Sequence, residues 1–282
     1  MLGLVVSATG NDRELLVRFQ PPSDDGCNGA CLSRLTYTYS VNGSWAPLSG
    51  SGATILVPSN GVQYSIAVRA DNSVDGPGTG QPGPYNPVTA PAAYGPPSAP
   101  TLSFARGRET NVEAAWSTPA GYNPYGVRTD ITISGVLGWT PVSASGSGSW
   151  GTGGIGGTYT VSLRSCETGG QGRCSGIVSL QAQTMVLSAG KGALHQSRPA
   201  CTDPSCAWVT VGIANGLPNH TYTFMDCGTF GGASCGSYRF GVTTDSNGNA
   251  YAASGTFVFG YPGYEAYTCV AGTSWCTNRV GW

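Results

Sequence analysis

The residues best placed to do chemistry are the ten cysteines, which fall as near neighbours: Cys27/Cys31, Cys166/Cys174, Cys201/Cys206, Cys227/Cys235 and Cys269/Cys276. Spacing alone does not fix connectivity. An even count in turn-rich segments favours disulfides and an oxidising compartment. The metal alternative rests on the short spacings of Cys27/Cys31 and Cys201/Cys206, which lie in the wider range for zinc ligand pairs. No pair has two intervening residues, and His195 and His220 do not form a second ligand pair. Disulfides are therefore favoured, and no metal or cofactor is expected. A hydrolase needs a nucleophile and a positioned base. The one G-x-S-x-G spacing, Gly232–Gly236 around Ser234, falls in a predicted hairpin and not at a strand-to-helix elbow, His195 follows Leu194 in an irregular stretch, and His220 lies in an Asn219–Thr221 turn. The carboxylate pairs Asp24/Asp25 and Asp71/Asp75 lie in loops and read as solvated charges. Asp245-Ser246-Asn247-Gly248-Asn249 imitates the start of a calcium loop, but its glycine comes two positions early and no glutamate follows at the twelfth position. A type I′ hairpin turn explains it better. Asn42-Gly43-Ser44 and Asn219-His220-Thr221 match a glycosylation sequon by accident. The best binding candidates are loop tyrosines: Tyr122 and Tyr125 in one loop, Tyr261 and Tyr264 in another. Exposed tyrosines offer flat apolar faces to sugars or proteins, although packing onto a sheet edge is the commoner use.

Composition narrows the setting of these residues. Charged residues make up only 10% of the 282, and the net charge is −1, with no basic run. That argues against nucleic acid and against electrostatic membrane contact. No segment approaches the apolar run of a membrane helix, so no membrane insertion is expected. One lysine, Lys191, stands against twelve arginines, a usage that fits a GC-rich genome. Glycine (44) and proline (19) are abundant but separate apolar, alternating runs. They punctuate a β protein. The N-terminal Met1–Val6 is too short for a signal h-region, so an exported protein would carry its signal or anchor outside this chain.

The elements that must position these residues are strands. Val62–Ala70 alternates Tyr64, Ile66 and Val68 against Ser65, Ala67 and Arg69, and Tyr159–Ser165 repeats the pattern down to Arg164. Each copy follows an aromatic strand by a similar interval, Phe19 to Tyr64 and Trp116 to Tyr159, and Trp139 falls where Trp45 fell. Tyr222–Cys227 is a looser third echo. A period of about 90–100 residues predicts three domains: 1–92, 93–184 and 185–282. Thr89–Pro100 holds four prolines and reads as a stiff, extended linker. Ser143–Gly157 is a Ser/Gly tract replacing a tighter loop. Cys166/Cys174 and Cys227/Cys235 are each symmetric about a glycine and face each other across predicted hairpins, while Cys269 lies opposite Cys276.

Domains one and two resemble fibronectin type III modules. The resemblance rests on an aromatic before proline (Phe19-Gln20-Pro21-Pro22; Trp116-Ser117-Thr118-Pro119) and a tyrosine opening the penultimate strand. It implies a corner in which the tyrosine hydroxyl bonds back to the backbone. Leu56, eight residues before Tyr64, matches the family pattern, and Trp150 is the nearest counterpart in domain two. Domain three resembles a cysteine-containing C-terminal β-module of actinobacterial surface and secreted proteins. The residues that match are Cys201…Cys206-Ala207-Trp208-Val209, Tyr222–Cys227, Phe259-Gly260-Tyr261-Pro262-Gly263 and Thr277–Trp282. Cys269 and Cys276 depart from that pattern, so its disulfide scheme does not transfer.

The expectation is an all-β chain of three consecutive, disulfide-braced β-sandwiches of fibronectin III/immunoglobulin-like type. It would serve as a non-catalytic extracellular or cell-surface spacer and adhesion region of a bacterial protein. Its partner would be a protein or a cell-wall polysaccharide. Two other readings stand beside it: a carbohydrate- or cell-wall-binding accessory region of a larger enzyme, and a structural subunit of an extracellular fibre that self-associates by open strand edges. The spacer reading predicts a monomeric rod approaching about 110 Å.

Overall fold

The computed structural model describes residues 3–21, 35–72, 85–192, 206–229, 232–259 and 263–281, with side chains described at all of these except 72, 206–207 and 253–259. Cys27, Cys31, Cys201, Tyr261, His195, Asp24, Asp25 and Asp75, and the side chain of Cys206, lie outside the described set. Six sheets pair into three sandwiches.

The first sandwich contains β1 (Val5–Ala8), β2 (Glu14–Arg18), β3 (Leu35–Val41), β4 (Ser44–Leu48), β5 (Gly52–Leu56), β6 (Ser65–Asn72) and β7 (Val88–Thr89). Its sheets run β1-β2-β5 and β4-β3-β6-β7. Alternation decides the core: Leu15 and Val17 from β2, and Ile66 and Val68 from β6, are buried together with Phe19, Ile55 and Val57. Leu56, the family-pattern match, is 67% exposed. The pairing Leu15↔Ile55 sets the register of β5, so Ile55 and Val57 face inward and Leu56 faces out.

The second sandwich contains β8 (Thr101–Arg108), β9 (Asn111–Ser117), β10 (Val127–Ile133), β11 (Leu137–Val142), β12 (Ser145–Gly151), β13 (Thr158–Glu167) and β14 (Val178–Gln183). Its sheets run β12-β9-β8 and β11-β10-β13-β14. Val112, Ala114, Trp116, Ile131, Ile133, Val161 and Leu163 form its core. The tract expected as a loop contains a strand. β12 pairs with β9 along its whole length, from Ser145↔Ser117 to Gly151↔Asn111. Small residues give β12 no alternating signature; neighbours hold it in place. Trp116 Nε1 donates to the Ser143 carbonyl at 2.9 Å, and Trp150 packs 6.1 Å from the Trp116 ring.

The third sandwich contains β15 (Val186–Lys191), β16 (Cys206–Ala214), β17 (Thr221–Gly228), β18 (Ser234–Thr243), β19 (Ala250–Phe259), β20 (Glu265–Val270) and β21 (Val280–Gly281). Its sheets run β15-β16-β19 and β18-β17-β20-β21. Met185, Val211, Tyr222, Phe224 and Val242 anchor the core. The Asp245–Asn249 stretch was expected to be a hairpin turn. Instead it carries the chain from β18 to β19, which belong to different sheets. No hairpin ladder is possible there. Asp245 Oδ1 accepts from the amides of Asn247 (2.8 Å) and Asn249 (2.9 Å), an Asx-type lock.

The tyrosine corner forms in the first and third sandwiches. The Ser59 amide donates to the Tyr64 hydroxyl at 3.0 Å, and the Leu217 amide donates to the Tyr222 hydroxyl at 2.8 Å. In the second sandwich the Tyr159 ring lies instead over Gly157, where a Cβ would collide with it.

Candidate functional site

The chain divides into two compact units. The first comprises Met1–Ala99 together with the loops Pro119–Arg128 and Ser165–Gly176. Within it one joint is centred on a buried carboxylate, Glu167, 4% exposed. Glu167 ends β13, and its side chain is fully buried. Arg173 returns from the adjacent hairpin and donates to Glu167 Oε1 through Nη2 at 2.7 Å and Nε at 3.1 Å. This is a charge-assisted pair of bonds to one carboxylate. Asn123 Nδ2 adds a third bond to Oε1 at 3.0 Å.

These bonds, led by Arg173 and opposed by burial, hold the Glu167 carboxyl down at about 2, from an ordinary 4.5. Arg173 also donates to the Gly10 carbonyl of the first sandwich and lies over the Tyr94 ring at 5.3 Å. The Tyr94 phenol is raised above its ordinary value, first by its hydrogen bond with Tyr125 and then by burial. Arg173 is held cationic above its own ordinary value by the Glu167 hydrogen bonds.

The expected linker takes part in this joint. Ala90, Ala93 and Tyr94 are buried. The Ala90 amide donates to the Tyr64 carbonyl, and the Gly61 amide to the Ala93 carbonyl. Thr89–Pro100 is thus packed against the first sandwich along much of its length, because its small residues fit beside β6 and its backbone groups find partners there.

Tyr122 and Tyr125, candidates for binding, belong to the same joint. Tyr122 lies against Gly61 and Tyr125 against Gly170, two glycines of positive φ (75° and 63°) at which a Cβ would meet these rings. Tyr125 and Tyr94 meet edge to face at 5.5 Å. Both loop tyrosines are still close to half exposed, at 48% and 42%. Tyr264 is distant from them in sequence and half-buried. It packs against Gly228, and burial, helped by Asp226, raises its phenol. Tyr264 belongs to the second unit.

The second unit comprises Pro100–Thr118, Thr129–Arg164 and Ile177–Trp282. It has a joint of its own between the second and third sandwiches. Glu109, in the β8–β9 turn, adopts a left-handed backbone (φ 49°), unusual for glutamate. Its amide donates to the Asn215 carbonyl, and its carbonyl accepts from the Met185 amide. Tyr222 donates its hydroxyl proton to Glu109 Oε1 at 2.8 Å. Burial, the larger effect, and Glu109 both raise the Tyr222 phenol, so it stays a neutral donor.

The repeated arginines and tryptophans meet in space. Arg69 stacks over Trp45 at 4.1 Å and Arg164 over Trp139 at 4.1 Å. In each case the two residues come from strands flanking a common neighbour, β3 or β10. Arg69 pairs with Asp71 at 3.4 Å and Arg164 with the buried Asp130 at 3.6 Å. The same double engagement recurs at Arg106 (Phe104, Glu113), Arg173 (Tyr94, Glu167) and Arg279 (Tyr267, Glu265). A planar guanidinium can stack on a ring while its edge bonds a carboxylate, and an ammonium cannot. The arginine excess thus has a structural reason beyond genome composition.

Three disulfides brace the described residues: Cys166–Cys174, Cys227–Cys235 and Cys269–Cys276. His220 packs its ring 4.6 Å from Tyr222, and its backbone bonds with Thr244. Asp71 is engaged by Arg69, and Asp245 by backbone amides. Sequence reasoning missed Glu167, Arg173, Glu109 and Tyr94. The signal that could have found them was their position: charged or aromatic residues in short loops bordering predicted module boundaries.

No protein-family model matches the chain, and no curated protein matches it. Among solved structures, the chain is similar to the crystal structure of chicken CNTN1 FN1-FN3 domains, with 13% identity, 99% of this chain and 95% of that chain covered, and a TM-score of 0.32. The fold assignment stands on the sheet pairing and cores described above.

Proposed function

We propose that the chain is a non-catalytic spacer of adhesion type, in which neighbouring modules are coupled by buried polar joints. The observation that carries this reading is the Glu167–Arg173 joint: a fully buried carboxylate, an arginine reaching the Gly10 carbonyl, and Tyr94 and Tyr125 packed around them. A buried ion pair is expensive to desolvate and is a device for specifying one arrangement. Here that device serves attachment between segments, as does Glu109–Tyr222. The engagement of Tyr122 and Tyr125 in the joint favours packing over sugar capture at those positions. The disulfides support an oxidising, extracellular or cell-surface setting. The resemblance of the third module supports a bacterial surface protein, with a protein or cell-wall polysaccharide as partner. Module boundaries near 92 and 184 follow from the same reading.

The test is calorimetry and sedimentation of the oxidised chain, comparing the natural protein with Arg173→Met. The expected outcome is a monomer whose first sandwich and loops 119–128 and 165–176 melt together, with Arg173→Met splitting off an earlier transition. An unchanged thermogram would overturn the joint as the carrier of the function. If wild-type chain bound a polysaccharide and alanine at Tyr122 or Tyr125 abolished that binding, the accessory-region reading would replace this one. A mass that rises with concentration would favour the fibre.

A further inference from the structure

The third sandwich holds a cluster that the joints and the spacer role do not use. The sulfurs of Cys227, Cys235 and Cys269 all lie within 4.8 Å of one another. They belong to two separate disulfides, Cys227–Cys235 and Cys269–Cys276. The register explains the meeting. Met225 pairs with Cys269 and Cys227 with Tyr267 across β17 and β20, so Cys227 and Cys269 are diagonal neighbours on one sheet face. Burial is divided in the same way in each bridge. Cys227 and Cys269 are buried, at 5% and 4% exposed, while Cys235 and Cys276 are exposed.

We infer that these four cysteines form a covalent capture site for a low-molecular-weight thiol. An incoming thiolate attacks the exposed Sγ of Cys235. A bond forms between the two sulfurs, the Cys227–Cys235 bond breaks, and its electron pair leaves on Cys227. In an isolated bridge the released thiolate attacks back and expels the ligand. Here Cys227 has a second electrophile beside it. It attacks Sγ of Cys269, the Cys269–Cys276 bond breaks, and the electron pair leaves on Cys276, which takes a proton from water. Two disulfides are present before and two after, one thiol enters and one protein thiol appears, and no oxidant or reductant is consumed. Entry at Cys276 runs the mirror sequence: Cys269 is released, attacks Cys227, and frees Cys235. Both routes end with the buried pair joined, Cys227–Cys269. The direction follows from desolvation. A thiolate on a buried sulfur is disfavoured, and the exchange moves the charge to an exposed one. The captured thiol is held longer than at an isolated bridge because the thiolate that would expel it is tied up in the new buried bridge, and its release first requires the freed exposed cysteine to attack that bridge.

The same chain contains its own control. Cys166–Cys174 has the sequence separation of Cys227–Cys235 and the same division into a buried and an exposed sulfur, and Cys166 and Cys174 are not part of the three-sulfur cluster.

The experiment treats the oxidised full chain with N-acetylcysteine at mildly alkaline pH, quenches with acid, labels new thiols with N-ethylmaleimide, and maps all ten cysteines by peptide mass spectrometry. The expected result is an N-acetylcysteine adduct on Cys235 or Cys276, maleimide on the other, and a Cys227–Cys269 bridge. The adduct should exceed that on Cys174 by about tenfold or more, as expected when a neighbouring group reacts intramolecularly. Equal yields at Cys174 and Cys235, adducts without the Cys227–Cys269 bridge, or no adduct at all would each overturn the proposal.

Discussion

Replacing Glu167 by glutamine converts the first joint into a measurable acid response. The folded carboxyl sits at about 2 against an ordinary 4.5, so it is ionised in the folded protein well below the pH at which the unfolded chain takes up its proton. Its stabilisation is complete above about pH 4.5 and is lost as pH falls towards 2. The shift of about 2.5 units corresponds to a ceiling of about 3 kcal/mol, and nearer 2 kcal/mol because the partly exposed Arg173 lets solvent screen the pair. The assay is urea unfolding of wild type and Glu167→Gln from pH 7 to pH 2, followed by a probe of the first sandwich. Other carboxylates titrate in both proteins, so the difference in unfolding free energy isolates Glu167. That difference should be about 2 kcal/mol and flat from pH 7 to about 5.5, then shrink towards zero by pH 2. A difference that stays constant over the whole range would refute the placement of the charge in the joint.

Five further substitutions test other parts of the structure. Arg69→Lys and Arg164→Lys keep the charge but lose face-on stacking over Trp45 and Trp139, and each should cost about 1 kcal/mol in thermal or urea unfolding, where a purely electrostatic role would leave stability unchanged. Tyr222→Phe removes the acceptor for the Leu217 amide and the donor to Glu109 and should cost about 1–3 kcal/mol, read as a lower melting temperature of the second unit. Ile55→Ala should cost about 2–4 kcal/mol and Leu56→Ser less than about 0.5 kcal/mol, and the reverse order would show that β5 sits one residue out of the register described.

The arginines illustrate what spacing conveyed and what it concealed. Arg69 and Arg164 were visible as repeated positions in matching strands, and Trp45 and Trp139 as repeated positions in others. That each arginine reaches its tryptophan across an intervening strand depends on the order β4-β3-β6 and β11-β10-β13. Strand order is a long-range property, and no local pattern encodes it. The same holds for Glu167 and Glu109. Each reads as an isolated surface charge until the fold brings Arg173, or Tyr222, to its oxygen.

What the sequence by itself determined was local in origin. Period-two alternation, proline stops and glycine turns specified a β-rich chain, its repetition specified three similar modules, and the cysteine neighbours lay within reach of one another across short turns. Each of those features follows from backbone geometry over a few residues. Only the tertiary structure decided the rest. β12 is a strand because β9 supplies its ladder, although its serines and glycines have no strand signature. Leu56 faces solvent because pairing with β2 sets its register. Asp245–Asn249 crosses between sheets because β18 and β19 pair with different partners. Cys227 lies beside Cys269 because β17 and β20 are neighbours. In every case the deciding interaction joins residues distant in the chain, where hydrogen-bond pairing and burial overrule the preferences a short segment has alone.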